Sequence, residues 1–104
     1  MKVLNFFFIL AAIIGNSFSL CIWPKTAGIL NVCKQLDKED CIGLTSNNIC
    51  IDLNGGLFVS GYASGNYQCT IFSSTDCLGT SATVDKLGWS HFPIIPKSFK
   101  CPCV

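Results

Sequence analysis

The sequence predicts a small all-β domain cross-linked by disulfides, and three observations favour this fold class. The 104 residues contain eight cysteines, an even number at a density typical of a disulfide scaffold. Short segments rich in apolar and β-branched residues follow a two-residue alternation, and Asn, Gly, Pro and Ser separate them. A chain this short buries limited apolar area, so we expect cross-links to supplement the core.

The first residues predict a signal peptide. Lys2 precedes the apolar run Val3–Ile14, and the small residues Ser17 and Ser19 follow it, which favours cleavage after Ser19. The run is shorter than the about 20 residues that a membrane-spanning helix needs, so a membrane anchor is the weaker alternative. We therefore expect a leader at 1–19 and a single domain at 20–104.

All eight cysteines lie in the predicted mature chain: Cys21, Cys33, Cys41, Cys50, Cys69, Cys77, Cys101 and Cys103. In the oxidising secretory route they should form four bridges in a secreted, extracellular protein. The pairing stays open, because eight cysteines allow 105 connectivities.

The charge balance excludes some partners. Without Lys2 the chain has six lysines, six acidic residues and no arginine. Nucleic-acid binders present a basic face and use arginine for bidentate contacts, so we expect no nucleic acid. A strongly cationic membrane-lytic peptide is also disfavoured. We expect a monomer whose target is an extracellular protein, a glycan or a membrane.

Four residues recur at one spacing, which indicates an internal duplication. Cys33, Asp40, Cys41 and Gly43 correspond to Cys69, Asp76, Cys77 and Gly79 at an offset of 36. The predicted repeats cover about 31–62 and about 67–103.

The first repeat contains one ambiguous segment and one hairpin signal. Apolar residues in Thr26–Leu36 follow a helical spacing, but the repeat favours a strand at Val32–Leu36, equivalent to Gln68–Phe72. Asp37–Asp40 is predicted as a solvated turn. Ile49–Leu53 and Leu57–Tyr62 flank Asn54-Gly55, a dipeptide that favours a two-residue hairpin turn.

The second repeat predicts three strands. Gly61–Asn66 is predicted as the connector between the repeats. Tyr67–Phe72 and Thr80–Val84 suit strands, whereas Pro93 and Pro96 make Ser90–Pro96 a loop. The last strand is predicted in Ser98–Cys103, with Phe99, Cys101 and Cys103 toward the core and Ser98 and Lys100 away from it.

Part of this pattern resembles the βγ-crystallin motif. That motif consists of an aromatic residue, four further residues, a second aromatic residue, one spacer residue and Gly. Phe72-x4-Cys77-x-Gly79 with Ser81 is similar to it, and Leu36-x4-Cys41-x-Gly43 matches less well. Gly88-Trp89-Ser90 and Ser98-Phe99-Lys100 resemble the segment that leads into the family's last strand. The resemblance implies a two-motif Greek-key sandwich in which Gly lets a hairpin fold over and Cys77 replaces an aromatic anchor with a covalent one.

The disulfide-rich setting is closer to the small secreted relatives of that family. These include killer-toxin-type and antimicrobial proteins and cysteine-rich fungal proteins that act on a host. The resemblance implies a toxin-like, antimicrobial or host-interaction role.

The sequence predicts no metal or cofactor. Many βγ-crystallins bind calcium through an Asn/Asp-Asn/Asp-x-x-Ser/Thr-Ser loop, which Asn47–Asp52 and Asp85–Ser90 match only in part. The first lacks both hydroxyls and the second has Lys86 where an oxygen ligand belongs, although calcium requires about 6–8 oxygen ligands. We expect these loops to be retained for shape. A zinc site would need reduced thiolates, which a secreted chain does not offer.

Catalysis is not predicted either. His91 is the only histidine, and no nucleophile elbow accompanies it. No acidic pair can be singled out as a glycosidase acid and nucleophile. We expect no catalytic residue, and His91 is interpreted as a structural or exposed loop residue.

The apolar loop 89–96 is the predicted contact patch if it is exposed, and a plug for one end of the sandwich if it is buried. The patch would consist of Trp89, Phe92, Ile94 and Ile95. The expected function is non-catalytic binding, with a glycan-binding or hydrolytic wall protein and an inhibitor of an extracellular enzyme as alternatives. An exposed Trp89 or Trp23 in a groove would favour a glycan-binding protein. A loop clamped by disulfides would favour an inhibitor, and a pocket that joins His91 with Ser and Asp would favour a hydrolase.

Overall fold

The computed structural model describes residues 21–104, and the predicted signal peptide with its cleavage site lies outside the described residues. The described chain forms two antiparallel β-sheets, which confirms the all-β, disulfide-rich prediction. Within residues 21–104, none of the helical segments has the length and apolarity that crossing a bilayer requires. The strands are β1 (Ile29–Gln35), β2 (Glu39–Thr45), β3 (Ile51–Asp52), β4 (Ser60–Ala63), β5 (Cys69–Ser74), β6 (Leu78–Val84) and β7 (Ser98–Lys100).

The first sheet has the strand order β2-β1-β4. Its central strand β1 settles the ambiguous segment as a strand, because Leu30 and Val32 alternate into the core and are fully buried. β1 pairs with β2 on one side and with β4 on the other, where Leu30 lies opposite Leu44 and Ala63.

The second sheet has the order β3-β7-β5-β6. The strands predicted in Tyr67–Phe72, Thr80–Val84 and Ser98–Cys103 are all confirmed, although β5 is shifted by two residues, β6 begins two residues earlier and β7 ends three residues earlier. Cys69 and Ile71 of β5 are fully buried, and Ile71 lies opposite Phe99 of β7.

The predicted hairpin at Asn54-Gly55 is wrong. The strand before this turn, β3, pairs with β7, whereas the strand after it, β4, pairs with β1. The chain therefore crosses between sheets at the turn. Only Gly55 of the pair has a positive φ (75°), although a type I′ turn needs positive φ at both positions. The predicted connector Gly61–Asn66 is also wrong in part, because its first three residues belong to β4.

The exchange between the sheets is reciprocal. Ile51 of β3 pairs with Phe99 in the second sheet, and Trp89 forms an equivalent bridge with Gly61 of the first sheet. The flanking backbone hydrogen bonds also match: Leu53 donates to the Lys97 carbonyl (2.8 Å), and Phe92 donates to the Val59 carbonyl (2.6 Å). Each half of the chain thus supplies a short segment to the sheet of the other half.

The two halves repeat, but not at the predicted offset. A 3-10 turn connects β1 to β2 at Leu36–Lys38, and another connects β5 to β6 at Thr75–Cys77. Their central residues Asp37 (φ 61°, ψ 30°) and Asp76 (φ 59°, ψ 29°) have the same left-handed conformation. The residue numbers differ by 39 rather than 36.

This offset changes which residues correspond. Gly79 (φ 83°) matches Asp40 (φ 57°), whereas Gly43 lies within β2 opposite Asn31. The sequence-based alignment of Cys33, Asp40, Cys41 and Gly43 with the second repeat was therefore wrong by three residues. It followed the cysteines, whose bonding partners differ between the repeats.

Two buried serines hold the hairpins in the same way. Ser60 Oγ donates to the Gln35 carbonyl (2.5 Å) and accepts from the Lys38 N–H (3.0 Å). Ser98 Oγ donates to the Ser74 carbonyl (2.6 Å) and accepts from the Cys77 N–H (2.9 Å). The prediction that Ser98 faces away from the protein interior is wrong, because the folded hairpin covers this side of the sheet and buries it completely.

The core lies between the two sheets. Its largest fully buried side chains are Phe99, Leu30, Ile71, Val32 and Val84. Leu53, Phe58, Phe92 and Ala63 complete it together with buried half-cystines.

Four disulfides cross-link the domain, as predicted, and no cysteine of residues 21–104 is free. They join Cys21 to Cys103, Cys33 to Cys41, Cys50 to Cys77 and Cys69 to Cys101. Cys33 and Cys41 lie opposite each other within one hairpin. The other three bridges link segments that are far apart in the sequence, and Cys77 tethers the second hairpin covalently.

Candidate functional site

The most exposed apolar feature of the described chain is a turn at its N-terminal end, formed by Ile22, Trp23, Pro24 and Lys25. The Lys25 N–H closes the turn by donating to the Ile22 carbonyl (2.9 Å). Cys21, just before the turn, is bonded to Cys103. Thr26, just after it, exchanges two 2.8 Å backbone hydrogen bonds with Val104. The turn is therefore anchored on both sides.

The side chains of this turn point into solvent. Trp23 is 88% exposed and Ile22 is 78% exposed, while Val104 on the paired segment is 44% exposed. We call Ile22, Trp23 and Val104 the Trp23 tip. An anchored turn loses little conformational entropy when it binds, and tryptophan is enriched among the residues that dominate binding energy. The tip is thus suited to insertion into a complementary surface.

The predicted contact patch does not form a continuous apolar surface. Phe92 is 4% exposed and belongs to the core, so its place in the patch was wrong. Ile94 is partly buried against the core, and Ile95 is 58% exposed. The loop is therefore buried on one side, where it packs against the core, and exposed to solvent on the other.

Trp89 has a structural role at this loop. Its backbone exchanges two hydrogen bonds with Gly61 of β4, and its indole Nε1 donates to the Thr83 carbonyl of β6 (2.8 Å). The residue connects the two sheets and is 39% exposed. Since its polar atom is already bonded within the protein, Trp89 offers less to a partner than Trp23 does.

The two loops compared with calcium sites have their acidic groups engaged in local structure. Asp52 Oδ1 accepts from the Asp76 N–H (3.0 Å) and so holds the second hairpin turn. Asp85 Oδ1 accepts from the Gly88 N–H (2.9 Å) and closes its own turn. From Cys21 to Val104, no group of three or more His, Cys, Asp or Glu side chains is arranged to hold a metal ion. These contacts explain why the loops keep their shape.

His91 lies on the surface. Two surface cavities of about 320 and 220 Å³ flank β5, and His91 lines neither of them. The loops compared with calcium sites contribute Asn48 and Asp85 to their linings, and Gln68, Thr70 and Lys100 lie beside them, although the sequence did not predict that these residues form a site together. The alternation of Gln68 and Thr70 with apolar residues was visible in the sequence. The sequence of one strand does not indicate, however, which residues of β7 lie beside it.

Comparisons of the chain with protein-family models, with curated proteins and with solved structures found no match. The fold and its cross-links define the class of the protein: a small, cysteine-rich all-β domain of two antiparallel sheets, stabilised by four disulfides.

Proposed function

We propose that this chain is a secreted, monomeric, non-catalytic binding protein of toxin-like, antimicrobial or host-interaction type, and that it contacts its extracellular target through the Trp23 tip. The observation that carries this proposal is the 88% exposure of Trp23 on a turn fixed by a disulfide and by backbone pairing. Tryptophan is enriched among the residues that dominate binding energy at interfaces, so an exposed Trp23 on an anchored turn supports a contact site.

A crystallin-like Greek-key topology is part of the proposal. It is supported by the reciprocal exchange in which β3 joins the second sheet and Trp89 bridges to the first. The two folded hairpins with equivalent serine contacts support it as well.

Secretion is supported by chemistry. Four disulfides indicate an oxidising, extracellular-type environment, and the predicted leader at 1–19 agrees with it. A cross-linked scaffold also suits a protein that must persist outside the cell, because each bridge restricts the unfolded chain.

An inhibitor of an extracellular enzyme is the second candidate. The favouring observation is that the Cys21–Cys103 bridge clamps an exposed loop that contains Trp23 and Lys25. A proteinase that cleaves after lysine and another that cleaves after aromatic residues would distinguish this candidate. If the domain inhibits either proteinase at stoichiometric concentration, and Lys25→Ala or Trp23→Ala abolishes this inhibition, the protein is an inhibitor rather than the binding protein proposed above.

The direct test measures binding of the fluorescently labelled, disulfide-bonded domain to intact yeast, bacterial and plant cells. We expect saturable binding to at least one cell type and at least a tenfold loss of affinity in Trp23→Ala, about the effect of removing an interface hot spot. The exposed position should leave the free energy of unfolding within about 0.5 kcal/mol of the wild type.

Leu57→Ala is the matched control, since Leu57 is also an exposed apolar residue but lies outside the Trp23 tip. It should bind as the wild type does. Equal binding by the wild type and Trp23→Ala, or no binding to any of the cells, would contradict the proposal.

A further inference from the structure

A second surface, separate from the Trp23 tip, follows the solvent side of β5. Cys69 and Ile71 face the core and are fully buried, so Gln68, Thr70 and Phe72 lie on the opposite side of the strand. Residues two apart in a strand are separated by nearly 7 Å, and this row therefore spans about 13–14 Å.

The two cavities lie along this row and share Gln68. The larger one, about 320 Å³, is lined by Asn66, Tyr67, Gln68, Asp85, Lys86 and Leu87. The smaller one, about 220 Å³, is lined by Asn48, Gln68, Thr70, Phe72, Lys100, Cys101 and Pro102. Because Gln68 lines both cavities, they lie next to each other, and we call the pair of them the β5 groove.

The smaller cavity combines three kinds of chemistry. Asn48 and Gln68 supply amides, and Thr70 supplies a hydroxyl, so donors and acceptors stand side by side. Phe72 is partly buried and adds an aromatic side chain to the lining. Lys100, which pairs directly with Thr70 across β7 and β5, is the only charged residue that lines this cavity.

An oligosaccharide fits this combination. One face of a pyranose ring carries C–H groups that can pack on an aromatic side chain, while its hydroxyls exchange hydrogen bonds with amides and hydroxyls. A shallow groove lined by polar and apolar groups side by side suits a solvated chain of sugars better than a compact apolar ligand.

The charges decide which sugars are preferred. Since no acidic side chain lines the smaller cavity, the Lys100 ammonium is available to a carboxylate of the ligand, and a charge-assisted hydrogen bond is stronger than a neutral one. In the larger cavity Asp85 and Lys86 offset each other, and Asp85 Oδ1 is bonded to the Gly88 N–H. The electrostatic preference of the groove therefore comes from Lys100.

We propose that the β5 groove binds an acidic oligosaccharide, with a sugar ring against Phe72 and a uronate carboxylate at Lys100. The residues involved are not those of the Trp23 tip, so this site and the proposed function can be tested separately.

The experiment titrates the disulfide-bonded domain with an oligogalacturonide and follows backbone amide chemical shifts by NMR. The matched neutral ligand is the same oligomer with its carboxylates methyl-esterified. We expect saturable shifts centred on Gln68, Thr70 and Lys100 for the acid and a binding at least about tenfold weaker for the ester.

Variants locate the charge contact. Lys100→Gln should lower affinity for the oligogalacturonide by about tenfold, while Lys97→Gln, which removes an exposed lysine outside the groove, should leave it unchanged. Trp23→Ala should also bind normally, which separates this result from any failure at the tip. Gln68→Ala, on an exposed side chain, should weaken binding without unfolding the domain.

Four results of these titrations would overturn the inference. They are the absence of saturable shifts, shifts confined to residues outside the groove, equal affinity for the acid and its methyl ester, and equal losses in Lys100→Gln and Lys97→Gln. An acidic peptide such as polyglutamate that binds the groove as tightly as the oligogalacturonide would also overturn it, because the site would then recognise charge rather than sugar.

Discussion

The two hairpins of this domain follow the same path but are fastened differently. The first, β1–β2, is closed on itself by Cys33–Cys41, whose residues are 8 apart in sequence. In the second, β5–β6, Cys69 bonds to Cys101 after β7 and Cys77 bonds to Cys50 before β3. Both hairpins nevertheless fold over their sheets with the same left-handed turn.

The residues at equivalent turn positions show the same contrast. Lys38 in the first hairpin reaches the Leu87 carbonyl through Nζ (2.8 Å), an exposed hydrogen bond. Cys77 occupies the corresponding position in the second and is covalently bonded. What the hairpins share is the buried serine, so the noncovalent contact sets the geometry and the disulfides reinforce it at different places.

The largest expected difference between the hairpins concerns their disulfides. Removal of Cys50–Cys77 by paired alanine substitution should lower the free energy of unfolding by about 3.5 kcal/mol, because this bridge closes a loop of 27 residues. Removal of Cys33–Cys41 should cost about 2.5 kcal/mol, since its loop is shorter. Chemical denaturation followed by fluorescence measures both. A larger loss for Cys33–Cys41 would contradict the loop-length explanation.

The serine contacts should have equal effects in the two hairpins. Ser60→Ala and Ser98→Ala each remove two part-buried hydrogen bonds, one donated to a backbone carbonyl and one accepted from a backbone N–H, and each should cost about 2–3 kcal/mol. Ser81→Ala, on an exposed residue of β6, is the control and should change stability by less than about 0.5 kcal/mol. Losses that differ by more than about 1 kcal/mol would show that the two serines are not equivalent.

The smallest effects are expected at the positive-φ positions after the turns. Gly79→Ala should cost about 1–2 kcal/mol, because φ is 83° and a Cβ would meet the hydroxyls of Ser73 and Ser74. Asp40→Gly at the equivalent position should stabilise the domain by up to about 1 kcal/mol, since Asp40 holds a φ of 57°. Thermal unfolding should show a lower melting temperature for Gly79→Ala and a higher one for Asp40→Gly. Destabilisation by Asp40→Gly would contradict the prediction.

The candidate sites were predicted only in part. Exposure of Trp23 follows from its place in a short turn between Cys21 and the first strand, although the sequence pointed to this residue only under the glycan-binding alternative. The patch at 89–96 was predicted as a unit, but Phe92 entered the core and Trp89 bonded to both sheets. An apolar loop contains no local signal that separates residues facing the core from residues facing solvent.

The sequence by itself determined the all-β class, the four disulfides and the strands β5, β6 and β7. Alternation, β-branched residues and cysteine content are local or compositional properties, so they can be interpreted without knowing which segments meet. Only the tertiary structure decided the cysteine partners, the exchange of β3 between the sheets, the burial of Ser60 and Ser98 and the offset of 39 between the hairpins. Each of these depends on contacts between residues far apart in the chain, and a single sequence does not specify such contacts.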